Sequence, residues 1–146
     1  ALREKLDLIK EAKSEGAELL CGGGWKDNYL EPAVLTSVKH TSRISSEEAF
    51  APVVCISPYN EFQEAVSHVN DSRYGLQCGI FTRDMKKILY AFSEIEVGGV
   101  IVNDVPTYRI DHMPYGGVKD SGFGREGLRY AIEEMTELKL LAINNA

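Results

Sequence analysis

The run QCGIFT (77–82), RDMKKILYAFSEI (83–95), EVGGVIV (96–102) decides the fold. Its two ends are short apolar segments of strand character. Asp84 stands where an N-cap side chain accepts hydrogen bonds from a first helical turn. Met85, Ile88, Leu89, Phe92 and Ile95 then recur at helical spacing, and Gly98-Gly99 stops the pattern. A strand, a helix and a second strand in this order predict parallel pairing through a right-handed crossover. Because residues 100–102 are wholly apolar, that strand is expected to be covered on both faces.

Working upstream, residues 61–70 place Phe62, Ala65, Val66 and Val69 on one helical face, with Asn60 as the expected N-cap. Residues 32–38 and 52–58, rich in Val and Ile and bounded by Pro, read as strands. Between them, Ser45-Ser46-Glu47-Glu48 is expected to cap one helical turn. A helix over 2–15 ends at Gly16, and an apolar stretch from Ala17 to Cys21 meets the turn Gly22-Gly23-Gly24. Downstream lie a long loop (103–124), a helix near 126–135 and a last strand over 137–143. The whole predicts one α/β unit: an open, mostly parallel sheet with flanking helices, plus a terminal strand. With no later element to cover it, that strand is expected to pair with another chain's sheet edge.

A length of 146 residues suits a single globular domain with a real core. Sixteen basic against 22 acidic residues give a net charge of −6, and no basic cluster offers the footprint a nucleic-acid binder needs. No apolar run approaches the roughly 20 residues of a membrane span, and a cytoplasmic location is expected. Residue 1 is Ala and opens directly into helical pattern, as in a piece of something longer. Cys21, Cys55 and Cys78 are odd in number and widely spaced, which points to neither a disulfide framework nor a zinc site. Cys55 and Cys78 sit in apolar strand patterns and read as small core residues. Cys21 has no base beside it in sequence. His40, His68 and His112 show no metal-ligand spacing.

Position singles out the loop after residue 102, since ligands of open α/β sheets gather beyond the carboxyl ends of parallel strands. Tyr108, Arg109, Asp111, His112 and Tyr115 put one guanidinium, one imidazole and two phenols within eight positions. Arg offers a planar fork for an anion, while Tyr and His can hydrogen-bond an oxyanion. The plainer reading pairs Arg109 with Asp111 on the surface. Glu47-Glu48-Ala49-Phe50 is equally two-sided. It reads as a helical turn entering a strand, or as a carboxylate for ribose hydroxyls beside a ring for a flat heterocycle. Gly122, Gly124 and Gly127 satisfy GxGxxG, but no strand precedes them, so they read as backbone positions of a tight loop rather than a dinucleotide fingerprint.

Taken together, EEAFAPVV (47–54), NDSRYGL (70–76), FTRD (81–84), VGGVIVND (97–104), MPYGGVKDSGFGREG (113–127) and EEMTELK (133–139) resemble the NAD(P)-dependent aldehyde dehydrogenases. The resemblance runs from residue 1 to about 143. It implies that residues 1–136 are the later part of a catalytic α/β domain and that 137–146 are an oligomerisation strand and tail. NAD or NADP is the implied cofactor, a small aldehyde the substrate, and a homo-oligomer (dimer or tetramer) the assembly. The second Glu of the first motif, Glu48, would hold the nicotinamide ribose, and Phe50 would contact the nicotinamide ring. Asn103 and Tyr115 would line the region of the reacting aldehyde, and Tyr108 and Arg109 the variable mouth. Ala49 and Ala51 stand where the motif commonly has Ile and Gly, which leaves the carboxylate and the ring in place.

In that family a Cys thiolate attacks the aldehyde and a Glu activates the hydrolytic water. None of the three cysteines lies in such a nucleophile motif, so the resemblance assigns this segment no catalytic residue and implies that alone it is inactive. The string TYRIDHMPYGG (107–117) is more similar to the lactaldehyde, non-phosphorylating glyceraldehyde-phosphate and phosphonoacetaldehyde subgroup than to fatty or retinal types. There an Arg at the place of Arg109 goes with a polar or anionic substrate tail. The rival from another class is a free-standing, non-catalytic α/β assembly module. A thiol hydrolase using Cys21 stands third.

Overall fold

A computed structural model describes residues 2–144. The chain divides into two compact units, with the boundary between Asn60 and Glu61, whereas the sequence reads as a single α/β unit up to residue 136. No helix among the described residues is long and apolar enough to cross a membrane.

The first unit opens with helix α1 (Leu2–Ser14), whose apolar residues Leu6, Leu8, Ile9 and Ala12 are buried. Gly16 ends it in the left-handed region (φ 110°). The Gly16 amide donates to the Lys13 carbonyl (3.2 Å) and the Ala17 amide to the Ala12 carbonyl (2.9 Å), so the last turn's acceptors are satisfied. Strand β1 (Glu18–Cys21) pairs antiparallel with β4 (Ala33–Thr36), which pairs parallel with β5 (Val53–Ile56). A small hairpin of β2 (Trp25–Lys26) and β3 (Tyr29–Leu30) turns at Asp27 with φ 52°. The core gathers Leu8, Ile9, Ala12, Ala33, Leu35, Val38 and Ile44. Helix α2 (Arg43–Ser46) supplies the last of these. Ser45, Ser46 and Glu47 therefore close this turn instead of opening it, because Arg43 reaches forward to Glu47.

In the second unit, α3 (Phe62–Asn70) and α4 (Met85–Glu94) cover one face of the parallel pair β7 (Gln77–Ile80) and β8 (Gly99–Val102). The predicted strand–helix–strand crossover is thus present. Asp84 caps α4 as expected, its Oδ1 accepting from the Lys86 amide at 2.8 Å. The cap of α3 is Glu61 rather than Asn60, since Glu61 and Glu64 form a reciprocal capping box. Val66, Ala91 and Ile95 form the core, with Cys78, Ile80 and Val100 packed on it. Residues 100–102 are half-buried or exposed, not enclosed on both faces, because both helices lie on the side of Cys78 and Val100. Strand β5 likewise pairs only with β4 among the described residues.

The second unit also holds a short antiparallel pair, β6 (Tyr74–Gly75) with β9 (Val118–Lys119), and ends in α5 (Leu128–Glu134). Residues 137–144 form no strand. The alternation there is real, but a strand needs a partner, and Leu138, Leu140, Leu141 and Ile143 stand exposed.

Candidate functional site

In the first unit, the 47–51 segment links α2 to β5. Of the acidic pair, Glu47 is held by Arg43 through both oxygens (3.3 and 3.1 Å), and the same guanidinium reaches Glu11 at 3.3 Å. Glu48 is exposed. Phe50 is 82% exposed and sits at φ 43°, a conformation that bulky L-residues rarely adopt. One carboxylate is thus spent on structure, while its neighbour and an aromatic ring are left exposed.

In the second unit, the loop after β8 begins at Asn103, itself left-handed (φ 58°). Its amide donates to the Ile80 carbonyl (2.7 Å), and its side-chain oxygen accepts from the Thr82 amide (2.9 Å). Asn103 therefore ties the ends of β7 and β8 together at the head of the loop. Tyr108 is exposed, two residues beyond Pro106. Arg109 does not pair with Asp111: its Nη2 donates to Glu126 Oε2 at 2.9 Å, and its guanidinium lies 4.1 Å from the centre of the Tyr115 ring. The reason is register. Tyr115 and Glu126 form an isolated antiparallel bridge, with amide–carbonyl bonds of 3.1 and 2.6 Å, so ring and carboxylate flank one approach.

The base of this loop is pinned across the sequence. Lys119, left-handed at φ 56°, donates from Nζ to the carbonyls of Asn70 (2.8 Å) and Ser72 (3.1 Å) and pairs with Glu96 (2.7 Å). Arg73 Nε meets Asp120 at 2.6 Å, and the Gly75 amide donates to Ser121 Oγ at 3.0 Å. The motifs NDSRYGL and VKDSG are therefore mutual partners. Gly98, read from the sequence only as part of the stop after the 85–95 helix, packs so closely that a Cβ would run into the Gly116 carbonyl. The only available signal was its membership of a glycine pair, which does not say what lies opposite.

The glycines of the GxGxxG run are loop positions, with φ of 115°, 74° and 125° at Gly122, Gly124 and Gly127. The strand before them, β9, is antiparallel to β6 and not part of a βαβ unit. Among the described residues no group of three His, Cys, Asp or Glu is placed to hold a metal ion.

All three cysteines are free thiols. Cys55 is exposed rather than in the core, as are Val54 and Ile56 on either side of it, so neither face of this part of β5 is covered among the described residues. Cys78 is partly buried, and burial pushes its thiol above the ordinary value. The raised value favours the neutral thiol near pH 7 and leaves less thiolate to react. Alkylation by iodoacetamide is thus expected to be slower at Cys78 than at exposed Cys21, and to climb at higher pH than for a free cysteine. Peptide mass spectrometry over a pH series checks this. Equal rates at the two sites across the series would contradict it.

A parallel strand pair under two helices, with a long loop beyond the strand ends, defines an α/β fold of the ligand-binding kind. Residues 1–141 match the model of the aldehyde dehydrogenase family, and the chain belongs to that family. It is 51% identical over 136 residues to 3-sulfolactaldehyde dehydrogenase of Priestia aryabhattai, covering 93% of this chain and 28% of that protein. Among solved structures, aldehyde dehydrogenase 21 of Physcomitrella patens, in complex with the reaction product succinate, is similar at TM-score 0.93 and 47% identity. That match covers 99% of this chain and 30% of that one. Glyceraldehyde-3-phosphate dehydrogenase GapN of Methanocaldococcus jannaschii, complexed with NADP, gives TM-score 0.88 and 40% identity over 94% of this chain and 30% of that one. The chain spans under a third of the length of each of these relatives.

Proposed function

We propose that these residues form the cofactor-positioning and substrate-mouth portion of an enzyme that oxidises a small polar or anionic aldehyde to its carboxylic acid with NAD or NADP. The observation that carries the reading is Arg109, whose guanidinium is held between a ring and a carboxylate at an open depression of about 470 Å³. An arginine so placed meets a carboxylate, sulfonate or phosphate tail through charge-assisted hydrogen bonds. The named substrates and products of the three relatives include a sulfonated aldehyde, a dicarboxylate and a phosphorylated aldehyde.

Glu48 and Phe50 fit the cofactor. An exposed glutamate accepts both hydroxyls of a ribose, and the exposed ring offers a flat apolar face to the nicotinamide. When bound, NAD(P) supplies the hydride acceptor. Asn103, Tyr108 and Tyr115 line the aldehyde side, and Asn103 also fixes where the loop starts. The thiolate nucleophile and the water-activating carboxylate come from outside these 146 residues. That assignment rests on the sequence around Cys21, Cys55 and Cys78, none of which lies in the family's nucleophile motif, and on Cys21 having no base beside it in sequence. By themselves, residues 1–146 are expected not to turn over aldehyde. The exposed apolar residues of 137–144 serve oligomer formation, and the enzyme works in the cytoplasm.

Glu48→Gln, made in the polypeptide that carries these residues together with the catalytic thiol, is expected to weaken cofactor binding about tenfold. The loss corresponds to a charge-assisted hydrogen bond. Fluorescence titration with NADH and NADPH reads it, with Glu47→Gln as the comparison. An unchanged affinity in Glu48→Gln, or an equal loss in both variants, overturns the ribose assignment.

A further inference from the structure

The segment that carries Glu48 and Phe50 has little secondary structure of its own to hold it. Helix α2 is a single turn, too short to be rigid by itself, and the Ser42 side chain makes no cap hydrogen bond to it. Every second residue supplies the hold instead. Ala49 packs on the core of the first unit, and Glu47 is gripped by Arg43. Glu48 and Phe50, which alternate with them, are exposed. Arg43 uses its whole fork. Its Nε donates to Glu47 Oε1 at 3.3 Å, its Nη2 to Glu47 Oε2 at 3.1 Å, and its Nη1 to Glu11 Oε2 at 3.3 Å. The paired contact to Glu47 sets an orientation as well as a distance. The third contact joins the segment to α1, whose buried face belongs to the same core. Exposed ion pairs add little to stability, so what this three-way tie contributes is position.

Resting on the reading of Glu48 as the ribose-binding group, we propose that Arg43 is a positioning residue for the cofactor, setting through Glu47 where the Glu48 carboxylate meets the ribose hydroxyls. Glu47 and Glu48 are neighbours on the backbone, so a Glu47 held at both oxygens leaves the next residue few arrangements. Without Arg43 the Glu48 carboxylate spreads over several places, and each cofactor that binds must order it again. A binding group performs when its supports hold it within about 0.5 Å of the productive geometry. A lysine in place of Arg43 keeps the positive charge but cannot span both Glu47 oxygens and Glu11 with a planar fork. It therefore separates the field of the cation from its geometry.

The test uses the polypeptide that carries these residues together with the catalytic thiol, titrated with NADH and NADPH by fluorescence. Arg43→Met is expected to weaken cofactor binding about fivefold and Arg43→Lys about threefold. In a Glu48→Gln background the same Arg43→Met change is expected to cost less than about twofold, because the group that Arg43 places is already gone. Glu47→Gln keeps one acceptor for the fork and is expected to lose about twofold at most, well short of Glu48→Gln. An unchanged affinity in Arg43→Met overturns the proposal. So does a loss that persists undiminished in the Glu48→Gln background, since Arg43 would then act on something other than Glu48. Full affinity in Arg43→Lys overturns the role of the fork. Should Arg43→Met fail to fold, Arg43→Lys carries the comparison between the two backgrounds. If Glu48→Gln by itself leaves the affinity unchanged, the ribose reading falls and this proposal with it. If Glu48→Gln weakens binding while Arg43→Met does not, the positioning role alone falls.

Discussion

Gly98→Ala is expected to destabilise the second unit by about 3 kcal/mol and to lower its thermal midpoint by about 10 °C or more. Gly98 lies between α4 and β8, and its amide donates to the Gly75 carbonyl at 3.0 Å. An added Cβ would overlap the carbonyl of Gly116 and approach that of Leu76, well inside the 3.0 Å that real Cβ contacts respect at the first of these. Both obstacles are backbone, so no side chain can swing aside. Relief requires moving the 115–117 segment, and with it the ring on which Arg109 rests. Gly122→Ala is the comparison, because Gly122 sits at φ 115° with open space around it. There the cost is conformational alone, about 1–2 kcal/mol. Circular dichroism melts of the two variants decide the matter. A Gly98→Ala protein that melts no lower than Gly122→Ala would show that this packing is not what the close approach implies.

Arg109→Ala is expected to reduce kcat/KM for a carboxylate-tailed aldehyde about 10- to 150-fold more than for propanal. That range corresponds to a charged hydrogen-bonding group worth about 1.5–3 kcal/mol. Stability should move by less than about 1 kcal/mol, since the Arg109–Glu126 pair is solvent-exposed, at 45% and 68%, and such pairs contribute little. Arg109→Lys should recover only part of the loss, because a point charge does not reproduce a planar fork. Steady-state kinetics on succinic semialdehyde and propanal measure the difference. Losses of the same size on both aldehydes would refute a role at the tail.

The elements best read from sequence are those whose signal is local. Asp84, the apolar spacing of 85–95 and the glycine at 16 mark their helices through contacts a few residues away. The β2–β3 hairpin escaped notice because each strand has two residues and the turn at Asp27-Asn28 lacks the usual glycine. Strand β6 is equally short, and its partner β9 lies more than 40 residues on. Burial proved harder than periodicity. Cys55 has the same apolar neighbours as a core residue, and only the structure reveals that Val54 and Ile56 beside it are 57% and 49% exposed. For the candidate site, motif recognition located Arg109 and Tyr115 but not their partner. Asp111 is two positions from Arg109 and Glu126 is seventeen, and only the Tyr115–Glu126 bridge brings the distant carboxylate closer.

The pins beneath the 103–124 loop attach at its two ends. Asn103 holds its entrance, and Lys119, Asp120 and Ser121 hold its return to residues 70–75. The stretch from Val105 to His112 is exposed and carries none of these ties. Selection can therefore rewrite those eight positions, in length as well as in side chain, while the frame that presents Tyr115 keeps its place. New substrates become reachable by small edits to a rim, without the risk of unfolding that changes to a buried framework carry.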